Sequence, residues 1–571
     1  MTNAAPKQAL PGQFIQRVWL AHYPKGVPAT IDPTVYNSLV ELVDEGLIKY
    51  ADRVACDFMG KSWTYAQLDE ASWAMGCYLQ SLGLHQGDRV AVMMPNIPQY
   101  PVAVLAIIRA GFVLVNVNPL YTPRELEHQL KDSGAKVLLA VENFANTIEQ
   151  VLARTPVQHL ILTGIGDMLG GLKGPLVNFA VRRIKKMVPA YQLPTAQRFN
   201  HALERGRHMT LLEAKPGPED IAVLQYTGGT TGVSKGAMLL HRNIIANLLQ
   251  SEAWNNPLWK QVPEGQQPVM VCALPLYHIF GFTVNMMFGL RVGARNILIP
   301  NPRDIPATLK ALKGKTFHSF PAVNTLFNAM AHHPDFDQVD WRHLRISVGG
   351  GMAVQQATAR LWKDKTGCAI AEGYGLSETS PSVTCNPVAG GGVPGSIGLP
   401  LPSTDVMILD EDGNPCLFGV PGELCVRGPQ VMAGYWHRPE ETEKVMTPDG
   451  FFRTGDIATM DERGYVRIVD RKKDMILVSG FNVYPNELED VVTQMPGILE
   501  CAAVGVPDPH SGEAVKLVIV REDPSVTEQQ VREYCAQHLT GYKRPKVVLF
   551  TDALPKTPVG KILRRELRDP Q

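Results

Sequence analysis

The chain has 571 residues, of which 45% are hydrophobic and 19% charged, an ordinary composition for a globular protein with more than one hydrophobic core. Lys plus Arg and Asp plus Glu both number 55, so the composition argues against nucleic-acid binding. The nine cysteines include no Cys-x-x-Cys pair and no metal-ligand spacing, and the first residues lack a charged leader followed by an apolar core. These features argue against a secreted, disulfide-stabilised domain and favour a reduced, cytoplasmic setting.

From Asp88 onward, short β-rich runs alternate with helical patterns. The β runs are 90–94, 112–117 and 136–141, and helices are predicted over 99–109 and from Pro123. Alternation of this kind is typical of βαβ units in a mainly parallel sheet with helices on both faces. The longest apolar stretch, 102–117, is broken by Arg109 and is shorter than the roughly 20 residues that a membrane span needs. The sequence therefore predicts an α/β fold without a membrane-spanning helix.

Residues 175–188 combine an apolar stripe with clustered positive charge. At helical spacing, the stripe consists of Leu176, Ala180, Ile184, Met187 and Val188. The basic residues beside or opposite it are Arg182, Arg183, Lys185 and Lys186. A basic amphipathic helix is a candidate for contact with an anionic membrane surface. A surface helix that packs its stripe on the protein core is the other interpretation, and the pattern leaves both open.

A loop of glycines, hydroxyls and one lysine, YTGGTTGVSKG at 226–236, follows the apolar run 221–224. Glycines let backbone N–H groups approach phosphate oxygens, hydroxyls donate to them, and Lys235 supplies positive charge. The loop is not a Walker A motif, because Lys235 is followed by Gly236 instead of Ser or Thr. In mainly parallel sheets, ligands bind at the carboxyl ends of strands, where this loop is expected to lie. A polyphosphate site is predicted, although a flexible surface turn would have the same composition.

After about Gly390 the pattern changes to short strands with Gly/Pro turns, as at 422–428, which predicts a β-rich subdomain. The C-terminal part is predicted to be a compact α+β unit, with strands at 501–506, 515–520 and 546–550 and a helix over 527–538. A polar junction, DRKK at 470–473, precedes this unit.

Four further motifs follow the glycine-rich loop in order: EGYGLSET at 372–379, RTGD at 453–456, DRKKD at 470–474 and PKTPVGK at 555–561. Together the five resemble the signature series of the adenylate-forming superfamily, which comprises acyl-CoA synthetases, luciferases and peptide-synthetase adenylation domains. The resemblance extends from about Trp63 to Leu567, and five motifs in the right order are far more specific than one. Within the superfamily, 468–487 and LTGYK at 539–543 most resemble bacterial long-chain fatty-acyl-CoA synthetases.

The resemblance implies a two-step reaction and a two-domain organisation. A fatty acid and ATP would give an acyl-adenylate and pyrophosphate, and coenzyme A would then take the acyl group as a thioester. An N-terminal ATP- and acyl-binding domain is expected over 1–469, with parallel sheets flanked by helices plus the β-rich subdomain. A small mobile α+β cap is expected over 470–571, with a hinge at Asp470.

Four residues are predicted to be catalytic from their match to family motifs. Lys561 matches a mobile lysine that reaches the α-phosphate and the acyl carboxylate, although a lysine near a C-terminus is usually a solvated charge. Thr227 and Glu378 match the metal-associated threonine and glutamate, and Mg²⁺ needs few carboxylates when phosphate supplies other ligands. A carboxylate at a helix N-terminus is the other interpretation of Glu378. His278 matches a position beside the substrate carboxylate, and a buried structural histidine is its alternative.

Further residues are predicted to bind ATP or coenzyme A. Gly349, Gly350, Gly351 and Tyr374 resemble the adenine pocket, and Asp456, as an acceptor-only side chain, matches the ribose-binding aspartate. The full predicted set is Thr227, Gly228, Gly229, Thr230, Thr231, Gly232, Ser234, Lys235, Gly349, Gly350, Gly351, Gly373, Tyr374, Gly375, Thr379, Asp456, Arg471, Lys473, Ser479 and Gly480. Ser479 and Gly480 match the loop that lines the pantetheine tunnel. Many relatives have a lysine where this chain has Leu477, so that contact is not carried over.

The acyl route is predicted to be lined by Tyr277, His278, Phe280 and Phe282. Phe282 aligns with the aromatic gate of long-chain synthetases, where some relatives have Trp. An acyl-AMP ligase and a medium-chain or aryl acyl-CoA synthetase remain alternatives. A protein that binds ATP or acyl groups without turnover is disfavoured, because it has no need of a lysine on a mobile cap. Oligomeric state is left open, with a homodimer as one candidate.

Overall fold

The computed structural model describes residues 17–227, 234–260, 262–263, 265–479, 481–557 and 560–568. Within these residues the chain forms four β-sheets flanked by helices, which confirms the predicted α/β class. The helices of eight or more residues are Leu39–Lys49, Tyr65–Gln80, Gln99–Arg109, Pro123–Ser133, Ala145–Leu152, Phe199–Gly206, His241–Trp259, Ile305–Leu312, Asn324–Ala331, Gln356–Thr366, Pro485–Val492 and Glu528–His538.

Sheet A is the largest, with nine strands among the described residues. In spatial order they are Leu399–Pro400, Ser382–Cys385, Ile370–Gly375, Ile346–Gly349, Ser319–Ala322, Val269–Cys272, Arg295–Leu298, Val54–Phe58 and Lys61–Thr64. The pairing is parallel from Ile370–Gly375 to Val54–Phe58 and antiparallel at both edges.

Sheet B has seven strands within the described part of the chain, in the order Gln197–Arg198, His159–Thr163, Val137–Val141, Arg89–Met93, Val113–Asn116, Ile221–Thr227 and Lys235–Leu240. All pairs are parallel except the last, so the predicted βαβ alternation from Asp88 is confirmed. The helix Gln99–Arg109 is buried on every side, as its continuous apolar composition requires.

Local sequence explains why the helix Pro123–Ser133 begins and ends where it does. Pro123 occupies the first turn, where its missing N–H costs nothing, and Thr122 caps the helix. The Glu125 carboxylate accepts a 2.8 Å hydrogen bond from the Thr122 backbone N–H, and the Thr122 hydroxyl accepts from that of Glu125 at 3.4 Å. Gly134 ends the helix in the left-handed conformation, with φ 63°.

Two smaller sheets confirm the predictions for the C-terminal third. Sheet C is antiparallel and consists of Asp405–Leu409, Gly422–Arg427, Phe452–Met460 and Val466–Arg471. Sheet D consists of Phe481–Val483, Ile476–Val478, Gly512–Arg521, Ile498–Asp508 and Val547–Phe550. The helices Pro485–Val492 and Glu528–His538 pack with sheet D around a separate apolar core.

Asp470 lies inside sheet C, because the strand Val466–Arg471 continues one residue beyond it and pairs Asp470 with Ile457. Its buried carboxylate accepts hydrogen bonds from the backbone N–H groups of Arg471 at 2.7 Å and Asn486 at 2.8 Å. Asp470 therefore connects the last strand of sheet C to the first helix of the C-terminal unit. The hinge at this residue and the division at 469/470 stay predictions.

The segment 175–188 differs from a regular helix that packs its stripe on the core. An α-helix, Lys173–Phe179, passes into a π-helix, Ala180–Ile184. Leu176, Ile184 and Met187 of the stripe are exposed, so the core-packing interpretation is wrong for these side chains. Polar residues hold the segment instead: Asn178 donates to Asp167 at 2.7 Å, and Arg182 donates to the buried Glu142 at 2.7 and 2.8 Å.

Across the described ranges, no helix has both the length and the apolar character needed to cross a bilayer.

Candidate active site

A cavity lies between sheet A and the helix His241–Trp259, with about 980 Å³ of empty space when the adjoining open solvent is included. Residues two apart on a strand face the same side of a sheet. The first and third residues of the strands Ser319–Ala322 and Ile346–Gly349 therefore line the cavity together. The sheet contributes Met270, Ser319, Pro321, Ile346 and Val348, and the opposite wall consists of Ser251, Trp254, Asn255, Trp259, Val284 and Phe288.

The polar end of the cavity lies at the carboxyl ends of the strands of sheet A, where ligands are expected in such folds. Gly350 and Gly351 follow the strand Ile346–Gly349 and line this end. Gly373, Tyr374 and Gly375 line it from the neighbouring strand, and His278, Phe280 and Lys561 complete it. Residues that are distant in sequence, on either side of the C-terminal junction, therefore meet at one site.

Glycine is required at two of these positions for different reasons. A side chain at Gly375 would overlap the carbonyl oxygen of Pro381, so this strand can approach its neighbour only without a Cβ atom. Gly351 has φ +77°, a conformation that other residues rarely adopt. Glycines beside Tyr374 at this end of the cavity are compatible with the predicted adenine pocket.

Tyr374, Asp456 and Arg471 form a connected group beside the cavity. The Tyr374 hydroxyl donates to Oδ2 of Asp456 at 2.5 Å, and Nε of Arg471 lies 3.3 Å from Oδ1 of the same carboxylate. Burial raises the pKa of Tyr374 well above its usual value, and the Asp456 charge adds to this effect. The predicted ribose-binding carboxylate thus faces the predicted adenine-stacking ring.

Lys561 reaches the cavity from the C-terminal unit. Its backbone N–H donates to the Thr557 hydroxyl at 3.0 Å, and its carbonyl accepts from the Thr557 N–H at 2.7 Å, so Thr557 holds the backbone of Lys561 in place. Burial, with Arg471 as the next cause, lowers the pKa of Lys561 to about 8. Within the described residues its ammonium makes no hydrogen bond or ion pair, which leaves it free to meet a ligand.

His278 faces the same space with a neutral ring. Burial, with the nearby Lys561 charge as the next cause, lowers the pKa of His278 to about 4. Nδ1 accepts a 3.2 Å hydrogen bond from the Phe280 backbone N–H, which assigns the ring proton to Nε2. The imidazole can therefore donate one hydrogen bond towards a carboxylate in the cavity.

Glu378 and Thr227 lie on adjoining elements, because the turn Ser377–Thr379 lies next to the strand Ile221–Thr227. The Glu378 carboxylate accepts a 2.9 Å hydrogen bond from the Tyr435 hydroxyl. Across the described ranges no cluster of three or more His, Cys, Asp or Glu could hold a metal ion. One carboxylate and one hydroxyl nevertheless fit Mg²⁺, which binds proteins through few ligands when phosphate oxygens and water supply the others.

Lys235 is half-buried and has partners that sequence reasoning did not identify. Its ammonium forms an ion pair with Glu441 and lies 5.2 Å from the centre of the Tyr435 ring. Tyr435 in turn donates to Glu378, so one ring joins the lysine to the predicted metal ligand. A nucleotide phosphate would have to compete with Glu441 for Lys235.

Several predicted site residues do not line the cavity. Thr379 is fully buried, and its hydroxyl accepts from the Leu376 N–H at 3.0 Å, so it shapes the motif turn. Phe282 is also fully buried and, like Tyr277, is absent from the cavity lining. Gly349 is the last residue of its strand, and Ser479 lies at an exposed hairpin end of sheet D.

Of the remaining predicted site residues, the structure describes Ser234 and Lys473. Ser234 is in contact with His128, whose Nε2 lies 2.9 Å from the Ser234 carbonyl oxygen, and Lys473 is close enough to Lys561 to lower its pKa. Gly228, Gly229, Thr230, Thr231, Gly232 and Gly480 lie outside the described residues.

The wall formed by the helix His241–Trp259 was missed by sequence reasoning. Ser251, Asn255 and Trp259 follow one another at intervals of four residues and therefore share one face. This spacing could have identified a common face, but the pattern does not indicate whether a cavity or a packed core lies opposite it.

Comparisons with known proteins agree with this geometry. The family described as "AMP-binding enzyme" matches residues 44–436, and the one described as "AMP-binding enzyme C-terminal domain" matches 487–561. The long-chain-fatty-acid–CoA ligase of Escherichia coli O157:H7 is 55% identical over 556 residues, which cover 97% of this chain and 98% of that protein.

Solved structures extend the similarity to the fold. ATP-bound MatB from Rhodopseudomonas palustris is similar with a TM-score of 0.79 and 31% identity, over 93% of this chain and 98% of that one. The anthranilate–CoA ligase AuaEII in complex with anthranoyl-AMP is similar with a TM-score of 0.81 and 26% identity, over 94% and 98%. The resemblance inferred from the five motifs is confirmed, and the chain belongs to the AMP-binding enzyme family.

Proposed function

We propose that this protein is an ATP-dependent long-chain fatty acid–CoA ligase. The observation that carries the proposal is the cavity: it is apolar along sheet A and ends at Lys561, His278 and the glycines beside Tyr374. The acyl chain of a fatty acid suits the apolar wall of the cavity, and its carboxylate suits the polar end. The identity of 55% to a long-chain-fatty-acid–CoA ligase over nearly the whole chain supports the same substrate class.

In the first step, the fatty-acid carboxylate attacks the α-phosphate of ATP and pyrophosphate leaves. Lys561 donates to the oxygens that gain charge, since a preorganised donor in a buried site stabilises a transition state strongly. The Nε2–H of His278 orients the carboxylate. Asp456 accepts from the ribose hydroxyls and Tyr374 stacks on the adenine.

Mg²⁺, held by Glu378 and Thr227 together with phosphate oxygens, would neutralise charge on the polyphosphate.

In the second step, the thiol of coenzyme A attacks the acyl carbonyl, the thioester forms and AMP leaves. Lys561 fills part of the polar end in the arrangement described above, so the C-terminal unit has to move before the thiol can approach. Ser479 and Gly480, which match the family's tunnel-lining loop, would then line the pantetheine channel.

Measuring pyrophosphate and palmitoyl-CoA after incubation with ATP, Mg²⁺ and palmitate, with and without coenzyme A, tests the proposal. We expect pyrophosphate release without coenzyme A to stop after about one equivalent of enzyme, and continuous thioester formation once coenzyme A is added. Pyrophosphate without any thioester would indicate an acyl-AMP ligase. Preference for octanoate or benzoate over palmitate would indicate a medium-chain or aryl ligase.

We also propose that the surface formed by Leu172, Leu176, Phe179, Ile184 and Met187 contacts an anionic membrane. Between 51% and 83% of each of these side chains is exposed. Arg182 is paired with Glu142, whereas Arg183, Lys185 and Lys186 are exposed and have no ion-pair partner within the described residues. Apolar side chains next to unpaired positive charge complement a negatively charged lipid surface.

Membrane contact would bring the enzyme to a substrate that partitions into bilayers. All nine cysteines are free, which supports a reduced compartment and hence the cytoplasmic face of the cell membrane. Each basic residue near an anionic leaflet contributes about 1 kcal/mol, so the attachment should be reversible and sensitive to salt.

Co-sedimentation with phosphatidylglycerol vesicles at low and high salt tests this contact. One variant replaces Arg183, Lys185 and Lys186 by Gln, and a second replaces Leu176, Phe179 and Ile184 by Ser. We expect both variants to bind less than the parent, and only the parent and the second variant to lose binding as salt increases. Equal sedimentation of all three proteins would contradict the proposal.

A further inference from the structure

A buried polar network lies beneath the loop that carries His278. This loop follows the strand Val269–Cys272 of sheet A. The Asn96 side-chain amide donates to the carbonyls of Cys272 at 3.0 Å and Leu274 at 2.9 Å. Its oxygen accepts from the backbone N–H of Leu276 at 2.8 Å, so one side chain fixes three points of the loop.

Tyr100, four residues after Asn96, also belongs to this network. Its hydroxyl lies 2.7 Å from the Leu276 carbonyl oxygen and 2.6 Å from Oδ1 of Asn116. The Asn116 amide donates to Oε1 of Gln225 at 3.1 Å, and the Gln225 amide donates to the Tyr277 carbonyl at 3.3 Å. The chain of hydrogen bonds therefore leaves the loop and returns to it.

The network joins the two elements that hold the two reactants. Asn116 and Gln225 belong to adjacent strands of sheet B, and Gln225 directly precedes the predicted phosphate-binding loop at 226–236. The loop ending at His278 belongs to sheet A. Asn96, Tyr100, Asn116 and Gln225 are all buried, so a relative shift of the two sheets would leave several polar groups unpaired.

We infer that Tyr100, together with Asn96, Asn116 and Gln225, positions the carboxylate-binding loop against the phosphate-binding strand. The inference rests on the proposed function. In the first step the carboxylate and the α-phosphate belong to separate molecules, and the loop at His278 and the phosphate-binding loop that contact them follow strands of different sheets, so their alignment depends on the protein. In the second step they are already joined in the acyl-adenylate, and the covalent bond fixes their relative position. These four side chains are positioning residues, because they act through the two elements that hold the reactants.

The variant Tyr100→Phe tests the inference because it removes only the hydroxyl. We expect the maximal rate of acyl-adenylate formation to fall by roughly 10- to 100-fold, since small misplacements of reactants have effects of this size. The KM values for ATP and palmitate should stay near those of the parent, and transfer from supplied palmitoyl-adenylate to coenzyme A should keep its rate. ATP–pyrophosphate exchange measures the first step, and single-turnover thioester formation measures the second.

Tyr65→Phe is the matched control. The Tyr65 hydroxyl is equally buried and lies 2.9 Å from the Gly289 carbonyl oxygen and 2.6 Å from that of Ala294, but it contacts neither reactant-binding element. The same chemical change should lower stability there by a similar amount and leave the ratio of the two half-reaction rates unchanged. If Tyr65→Phe also changes the ratio of the two half-reaction rates, the change in Tyr100→Phe reflects lost stability, and the inference is overturned.

Equal effects on both half-reactions in Tyr100→Phe, or parent rates in both, would also overturn it. If Tyr100→Phe does not fold, Gln225→Met provides the same test, because it removes the bonds to Asn116 and Tyr277 with little change in volume. Measurements on the parent enzyme distinguish a failure of the proposed function from a failure of the positioning role. A parent that forms no acyl-adenylate contradicts the proposed function, whereas a parent that does so and a variant without the split contradict only the positioning role.

Discussion

Lys561 illustrates how a single residue can be assigned to one of two steps. It is half-buried at the polar end of the cavity, has no hydrogen-bond or ion-pair partner among the described residues and belongs to the C-terminal unit, which the proposed second step requires to move. We predict that Lys561→Ala lowers the rate of acyl-adenylate formation by about 10²–10³-fold, as the loss of a transition-state donor does. Thioester formation from supplied palmitoyl-adenylate should remain close to that of the parent.

The control for this prediction is Lys556→Ala, a lysine on the same segment whose ammonium pairs with Glu500 at 2.5 Å instead of facing the cavity. It should leave both half-reactions near the parent rates. A Lys561→Ala variant that loses both half-reactions to the same extent would remove the assignment.

The pKa of Lys561 predicts a pH dependence of the first step. Burial and Arg471 lower this pKa to about 8, and only the protonated ammonium can donate to the phosphate and carboxylate oxygens. Adenylation should therefore proceed below pH 8 and decline above it, as the ammonium loses its proton. Because kcat/KM reports groups of the free enzyme, its alkaline limb should have an apparent pKa near 8.

ATP–pyrophosphate exchange between about pH 6 and pH 10 measures this limb. In Lys561→Arg the limb should disappear, because the guanidinium stays charged throughout this range. A limb that persists unchanged in Lys561→Arg would assign the titration to another group.

At the scale of elements, the sequence predicted best where local signals decide the outcome. The helix Pro123–Ser133 was predictable because Pro123, Thr122 and Glu125 act within one turn. The strands of sheet B were predictable because buried parallel strands are continuous apolar runs. The residues around the polar end were predictable because motif resemblance carries information on chemistry that composition lacks.

The features that could not be predicted depend on which residues of other elements pack against a helix or a side chain. A helical wheel shows that Leu176, Ile184 and Met187 share a side, but not that Arg182 and Asn178 would bind Glu142 and Asp167 and turn that side outwards. The same holds for Lys235, whose charge predicted a phosphate contact without indicating that Glu441 would pair with it. Long-range partners of this kind are set by tertiary packing.

The helix His241–Trp259 carries a residue that we expect to limit the length of the acyl chain. Trp259 lies eight residues beyond Ser251, which corresponds to about 12 Å along the helix. Its ring centre is 6.1 Å from that of Phe288, and both rings line the cavity. Phe288 follows His278 by ten residues, across the helical segments Ile279–Gly281 and Phe282–Met287, so we place these rings at the end of the cavity that is remote from Lys561.

We predict that Trp259→Ala raises kcat/KM for acids longer than palmitate, relative to palmitate, by about tenfold, because extra space in an apolar pocket changes discrimination by this order. Competition between palmitate and arachidate in one reaction measures the ratio. KM for ATP is the internal control and should not change. An unchanged ratio would place the limit on chain length elsewhere in the cavity.

At the scale of the whole molecule, polar contacts among the described residues join the C-terminal unit to the rest of the chain. Arg303 donates to the Thr557 carbonyl at 3.0 Å, and Gln356 donates to Asp490 at 3.4 Å. Asp470 is close to Arg564, which forms a 2.9 Å ion pair with Glu489 in the C-terminal unit. Polar contacts of this kind can be exchanged during turnover, as the proposed two-step reaction with a mobile cap requires.

We predict that Asp470→Pro holds the enzyme in one of its two arrangements, because proline fixes φ near −65° at a residue that would absorb the rotation. One half-reaction should then fall by at least about tenfold while the other continues. Asp470→Asn is the control for loss of the carboxylate that accepts from Arg471 and Asn486, and it should lower both half-reactions together or neither. Because Asp470 lies inside a strand, Lys473→Pro is tested beside it, in the turn that follows sheet C. Parent rates in Asp470→Pro, with a split in Lys473→Pro, would move the hinge to that turn.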